Sequence, residues 1–187
     1  IDGDAAGQLN GLFAIAARHG CGIDIHLHEL GEQGAHSIEM ICERTAALGL
    51  AGRVAISHAF CLGMLDERRL DPLLQRLARH DIAVMTHAPG GYTPFPPIRR
   101  LAEHGIRMFS GSDGVRDTWT PMNTADMLQR AWLLAYNSGF RHDADLEQVL
   151  HLCSFGGARQ MGVAHYGLEV GAAADLILVD ATHAAEA

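Results

Sequence analysis

Helix-type and strand-type patterns alternate along the chain from its first residue to residue 111, and this alternation constrains the fold more than any other feature. Each stretch with apolar residues at helical spacing is followed by a short apolar run that is typical of a buried strand. A strand, a helix and a further strand in this order form a parallel pair with a right-handed crossover. The sequence therefore predicts an α/β fold built on a parallel sheet.

The alternation predicts four strands, each preceded by a helix. The strands are expected at 21–28, 53–59, 82–87 and 106–111, and the helices at 5–19, 34–49, 66–80 and 95–104. After Pro121 the pattern changes, and it predicts helices at 122–137, 143–153 and 154–161 and a strand at 174–180. Because this last strand follows a Gly-containing turn outside the parallel series, we assign it to a separate small sheet.

Composition limits the class of protein. The 187 residues are enough for a sizeable core, and a charged fraction of 19% is typical of a soluble globular protein. The net charge of -8 argues against binding to nucleic acid or to an anionic membrane. The chain has no apolar run of about 18 residues and no signal-type start. Its four cysteines form no C-x-x-C pair, which indicates buried free thiols in a reducing, cytoplasmic compartment.

Side chains that can bind metals or transfer protons stand at the ends of all four predicted strands. One such strand end is weak evidence, but four in succession favour a functional site. The C-terminal ends of parallel strands share one edge, where the loops that carry catalytic groups open. In chain order these side chains are His26, His28, Glu29, His58, His87 and Asp113.

Three motifs at these strand ends resemble the amidohydrolase superfamily and, within it, the cytosine deaminase branch. They are DIHLHE at 24–29, SHA at 57–59 and SGSDGVRDTW at 110–119, and GLEVGAAADLILVD at 167–180 is similar to that superfamily's return strand into a small β-sandwich. The resemblance implies a (β/α)8 TIM-type barrel of the metal-dependent hydrolase kind.

By this resemblance the chain supplies strands five to eight of the barrel. Residues 1–165 would form the second half of the catalytic barrel, and residues 166–187 the return strand and tail of the β-sandwich subdomain. No H-x-H motif precedes residue 22, so the first-strand metal ligands of such enzymes are expected before Ile1. A half barrel leaves strand edges open, and we expect the segment alone to be unstable or to self-associate as a homo-oligomer.

The resemblance also implies residue roles around one divalent metal ion, Zn²⁺ or Fe²⁺. His26 and Asp113 would be metal ligands, Glu29 the proton shuttle, and His58 the histidine beside the reacting water. From the residues alone, Glu29 could instead be the N-terminal charge of the next helix, His58 a core histidine, and Asp113 a turn cap.

Four other features have two interpretations each. Trp119 resembles the substrate-side aromatic of the family but could equally be a core residue, and His87 could face the pocket or be structural. His28 shares a strand face with His26, and either supports the site or is structural. The Gly/Pro-rich stretch 88–97 could be a pocket rim or an ordinary stiff loop.

The predicted function is metal-dependent deamination of an amino-substituted heterocycle, such as a cytosine-like pyrimidine, with release of ammonia. Gly114 stands where cytosine deaminases carry a second Asp, which argues against cytosine itself. The alternatives are cleavage of an N-alkylamino triazine or a cyclic amide, or a non-catalytic metal-binding relative. The joint presence of His26, Glu29, His58 and Asp113 argues against a non-catalytic relative. The expected partner is a small-molecule substrate.

Overall fold

A computed structural model describes residues 4–89, 93–183 and 186 of the chain. The chain divides into two compact units, Ile1–Met108 and Phe109–Ala187. Within the described residues, no helix is both long enough and apolar enough to span a membrane. Residues 90–92 of the predicted pocket-rim loop lie outside the described residues.

The first unit alternates helices and strands as the sequence predicts. Its sheet has the strand order β1-β2-β3-β4, and the pairs β1–β2 and β2–β3 are parallel, which confirms the α/β class. A 3₁₀ turn at Phe60–Gly63 follows the second strand. The elements are α1 (Ala5–His19), β1 (Ile23–Leu27), α2 (Gly31–Ala47), β2 (Val54–His58), α3 (Glu67–Arg79), β3 (Ala83–Met85), α4 (Ile98–Glu103) and β4 (Met108–Phe109).

Apolar packing fixes the strand ends of this unit. All five residues of β2 are buried, and its register pairs Leu27 of β1 with His58. The apolar stripes of α2 and α3 join the same core. Their largest fully buried members are Ile38, Ile41, Leu73, Leu74 and Leu77. Burial of such side chains stabilises the unit by about 1.5–3 kcal/mol each, so the register of β1 and β2 is strongly specified.

The second unit is helical. It contains α5 (Met127–Asn137), α6 (Asp143–His151), a π-helical turn (Leu152–Gly156) and α7 (Gly157–Gln160). The predicted helix start at residue 122 is wrong, because Asp126 caps α5 by accepting hydrogen bonds from the backbone N–H groups of Leu128 and Gln129. The residues before this cap form turns rather than a helical turn.

The predicted strand at 174–180 is also wrong. Residues 173–179 have no regular secondary structure, and Ile177 and Leu178 are exposed. A strand requires hydrogen bonds from a neighbouring strand, and no described strand pairs with this stretch. Its apolar pattern alone therefore does not make it a strand.

Candidate metal centre and active site

Four histidines meet at the C-terminal ends of β1, β2 and β3. The ring centroid of His58 lies 4.8 Å from that of His26, 4.4 Å from that of His28 and 5.0 Å from that of His87. The rings of His28 and His87 both meet the His58 ring edge-on. The structure thus places four of the predicted residues in one cluster, with His58 at its centre.

The backbone turns sharply where β2 ends. His58 has φ 73° and Ala59 has φ 46°, so two consecutive non-glycine residues are left-handed. The Ala59 N–H donates to the carbonyl oxygens of Leu27 at 3.1 Å and Ser57 at 3.0 Å. Such conformations cost of order 1–3 kcal/mol each and persist only where the surroundings over-determine them. The turn directs His58, which is only 2% exposed, into the cluster.

Phe60 completes this cluster, although no motif or periodicity in the sequence points to this residue. Its ring centroid lies 5.4 Å from that of His28 and 5.2 Å from that of His58. It is the first residue of the 3₁₀ turn that the left-handed backbone of Ala59 starts. His28 therefore contacts both His58 and an aromatic ring beside it, and its role in the site stays a prediction.

Glu29 lies between the end of β1 and the start of α2 and is half-buried. Together with His26 and Ser37 it lines a small pocket of about 30 Å³ beside α1. The backbone approaches closely here: a Cβ on Gly34 would lie 2.2 Å from the Glu29 carbonyl oxygen and 2.6 Å from the Cys61 Cβ. Glycine at position 34 is thus required for α2 to pack as it does.

Asp113 lies in the second unit, in a loop rich in side-chain-to-backbone hydrogen bonds. It is exposed and left-handed, with φ 60°. The Asp117 carboxylate accepts hydrogen bonds from the N–H groups of Trp119 at 3.0 Å and Thr120 at 2.7 Å. A Cβ on Gly114 would lie 1.6 Å from an Asp117 carboxylate oxygen. A side chain at position 114 would therefore require the Asp117 carboxylate to turn away.

Trp119 is 91% exposed, so the interpretation of this residue as part of the core is wrong. Its family role on the substrate side stays a prediction. The cysteine prediction holds in part, since Cys42 and Cys61 are buried and free, and burial raises the pKa of each thiol to about 12. Cys21, however, is exposed, because it follows the left-handed Gly20 cap of α1 before β1 begins.

The donor groups of the first unit suit a divalent transition metal. The imidazole nitrogens of His26 and His58 come within 4.8 Å of each other. Nitrogen ligands of one zinc ion lie roughly 3.3 Å apart, so an ion bound to His26 would lie beside the His58 ring. Imidazole and carboxylate ligands suit zinc and iron alike.

A family model described as "Amidohydrolase family" matches residues 3–186. The chain belongs to the amidohydrolase family, as its strand-end motifs predict.

Three similar proteins refine this assignment. N-isopropylammelide isopropyl amidohydrolase of Pseudomonas sp. (strain ADP) is 31% identical over 183 residues, which are 96% of this chain and 44% of that protein. The crystal structure of N-isopropylammelide isopropylaminohydrolase from Burkholderia multivorans ATCC 17616 matches with a TM-score of 0.94 and 49% identity, over 98% of this chain and 47% of that one.

The third is 5-methylcytosine deaminase from Klebsiella pneumoniae, solved with 5-fluorocytosine. It matches with a TM-score of 0.83 and 21% identity, over 96% of this chain and 47% of that one, and shows likeness of fold alone. The chain thus spans about half the length of each of these three proteins.

Proposed function

We propose that the protein is a metal-dependent hydrolase that removes an alkylamino substituent from a nitrogen heterocycle such as an N-alkylamino triazine. The cluster of His26, His28, His58 and His87, with Glu29 in the same pocket as His26, carries the proposal. It provides imidazoles for a metal and a carboxylate for proton transfer at one edge of a parallel sheet. In folds of this kind that edge is where active sites lie.

The metal would be held by His26 and, by the family pattern, Asp113. A divalent ion bound there would lower the pKa of water towards about 7 and so supply a nucleophile at neutral pH. Zn²⁺ and Fe²⁺ both fit these ligand types. The half-barrel assignment, with residues 1–165 in the barrel and 166–187 in a β-sandwich subdomain, belongs to the same proposal.

The side chains have distinct tasks in the proposed reaction. Asp113 accepts the proton that the attacking water gives up, and His58 donates a hydrogen bond to the developing negative charge. Glu29 protonates the ring nitrogen beside the attacked carbon, which makes that carbon electrophilic. The C–N bond then breaks, and the amine leaves with a proton. Water and the alkylamino ring thereby become a hydroxylated ring and a free alkylamine.

The substrate class is supported by Gly114 and by sequence similarity. Position 114 is glycine and offers no second carboxylate beside Asp113, and this argues against a site built for cytosine. The protein from Burkholderia multivorans, whose name states isopropylammelide as substrate, is 49% identical over nearly the whole chain. Trp119 and His87 are proposed to contact the ring of the substrate.

Deamination of a cytosine-like pyrimidine is the second candidate. The strand-end motifs favour it, since they resemble the cytosine deaminase branch. In this reaction the same groups would act, and ammonia would leave in place of an alkylamine. The two candidates therefore differ in the product amine, which can be measured.

The test is to incubate the full-length protein, which includes the first-strand ligands expected before Ile1, with Zn²⁺ or Fe²⁺ and either an N-isopropylamino triazine or cytosine, and to measure isopropylamine and ammonia. We expect isopropylamine from the triazine, and a loss of about 10²–10⁴-fold in rate in Glu29→Gln. Glu32→Gln, an exposed glutamate three residues further on, is the matched control. Ammonia from cytosine alone would favour the second candidate, and no amine from either substrate would overturn both.

A further inference from the structure

The side chain of Asn123 forms hydrogen bonds to the loop that carries Asp113, one on each side of this aspartate. Asn123 donates from Nδ2 to the carbonyl oxygen of Ser112 at 2.6 Å and to that of Gly114 at 2.5 Å. These are the residues immediately before and after Asp113. A single amide group therefore binds the carbonyl groups of the residues on either side of this aspartate and holds it in its left-handed conformation, with φ 60°.

Asn123 is in turn fixed by a buried cation. Arg130, 5% exposed on α5, donates from Nη2 to Asn123 Oδ1 at 2.6 Å and to the Ser112 carbonyl oxygen at 3.2 Å. These bonds determine which end of the amide is the acceptor, so that Nδ2 faces the two carbonyls. Burial lowers the pKa of the Arg130 guanidinium, because desolvation disfavours the charged form.

We propose that Asn123, oriented by Arg130, is a positioning residue. It fixes the backbone around Asp113 and thereby sets the direction of the Asp113 carboxylate. The inference rests on the proposed function in so far as that carboxylate is a metal ligand. Side chains that orient metal ligands typically change metal affinity by 10–100-fold when they are removed. An αL aspartate without such a restraint would sample the more favourable conformations open to it.

The isosteric substitution Asn123→Asp separates the contact with Arg130 from the hydrogen bonds to the loop. It keeps the oxygen that accepts from Arg130 and strengthens that contact, so the fold should persist. It removes the Nδ2 donor that Asn123 offers to the carbonyls of Ser112 and Gly114, while the bond from Arg130 to the Ser112 carbonyl stays. Asn137→Asp, which makes the same change at a half-buried asparagine at the other end of α5, is the matched control.

The first measurement needs no metal. Arg116 is exposed and lies in the same loop, three residues after Asp113, so trypsin can cleave after it once the loop opens. We expect cleavage after Arg116 to be about tenfold faster in Asn123→Asp, because two hydrogen bonds of the loop are lost. Asn137→Asp should be cleaved at the wild-type rate. Unchanged cleavage in Asn123→Asp would overturn the inference whatever the metal results are.

The second measurement is zinc affinity by competition with a chelator, with the absorption spectrum of the Co²⁺-loaded protein as a report of ligand geometry. We expect Asn123→Asp to bind zinc about 10–100-fold more weakly and to show a shifted cobalt spectrum. If Asn123→Asp has the wild-type zinc affinity and cobalt spectrum while Asp113→Asn binds zinc more weakly, Asn123 does not set the direction of the Asp113 carboxylate. Unchanged zinc affinity in Asp113→Asn itself would instead overturn the proposed ligand role of Asp113. The trypsin result would then still decide whether Asn123 holds the loop.

Discussion

The end of β2 and the loop around Asp113 both hold a candidate reactive side chain in left-handed backbone, but different forces hold them there. At His58 the strand is buried along its whole length and ends against the carbonyl of Leu27. At Asp113 the neighbouring peptide groups are held by the side chain of Asn123. The first arrangement depends on apolar packing, and the second on polar side chains from a later stretch of sequence.

The difference matters for how each region should respond to change. Apolar packing is roughly additive in buried area, so the β2 end should be sensitive to volume and backbone shape. A polar network is sensitive to the loss of single donors, because each lost partner leaves a buried group unsatisfied. Four substitutions test this contrast, and they are ordered here by expected effect.

The largest effect is expected at Ala59, which is fully buried with φ 46°. Ala59→Val introduces a β-branched residue into left-handed backbone and adds volume to a closed core. We expect a loss of about 3–4 kcal/mol in the free energy of unfolding, measured by urea denaturation. Ala35→Val, at a fully buried alanine within α2, adds the same volume without the backbone cost. Equal losses in both variants would show that backbone strain at the β2 end is negligible.

The polar counterpart is Arg130→Met, which keeps much of the volume and removes the cation. It leaves the Ser112 carbonyl and the Asn123 Oδ1 without this donor, and we expect a loss of about 2 kcal/mol in the free energy of unfolding. Leu134→Met, one helical turn further along α5 and also buried, should cost less than about 1.5 kcal/mol. If Arg130→Met is as stable as the wild type, desolvation of the guanidinium outweighs its hydrogen bonds, and the contrast fails.

The same contrast explains how much the sequence could predict. His26, Glu29 and His58 lie at or just after the ends of apolar strands, and hydrophobic periodicity locates strand ends to within a few residues. Their convergence then follows from parallel topology. Asn123 and Arg130 could not be found in this way, since their contacts join a turn, a loop and a helix that share no period. The one available signal was a charged residue beside Ala131 on the buried face of α5.

Two further differences have equally local causes. The apolar run at 174–180 has the composition of a strand, but a strand also needs a neighbour that the pattern of a single segment cannot supply. Residues 121–126 are not helical, because the Asp126 side chain accepts hydrogen bonds from the backbone N–H groups of Leu128 and Gln129 and so makes residue 126 the N-cap. Neither outcome could be read from hydrophobicity alone.

Gly34→Ala tests how sensitive the apolar packing of the first unit is to one added methyl group. The new methyl group would meet the Glu29 carbonyl and the Cys61 side chain, so α2 must shift. We expect a loss of about 1–2 kcal/mol in stability and, if Glu29 shuttles protons, a fall in kcat of up to about 10²-fold. Gly11→Ala in α1, where a Cβ meets open space, should instead stabilise by about 0.5–1 kcal/mol. Two stabilised variants would mean that the close approach at Gly34 is not needed.

The smallest effect is expected for polar bonds on the surface of the first unit, where packing should dominate. Arg69 donates to the half-buried Glu39 at 2.7 Å, and this hydrogen bond holds the pKa of that carboxyl below its usual 4.5. The ionised carboxylate therefore stabilises the fold above pH 4.5, and this contribution is lost as the pH falls through the lowered pKa. We expect Glu39→Gln to cost about 0.5 kcal/mol at pH 7 and nothing at low pH, when urea denaturation is compared across pH. Glu43→Gln, at a more exposed partner of Arg76, should cost less. A cost in Glu39→Gln as large as that in Arg130→Met would show that polar contacts hold both units alike.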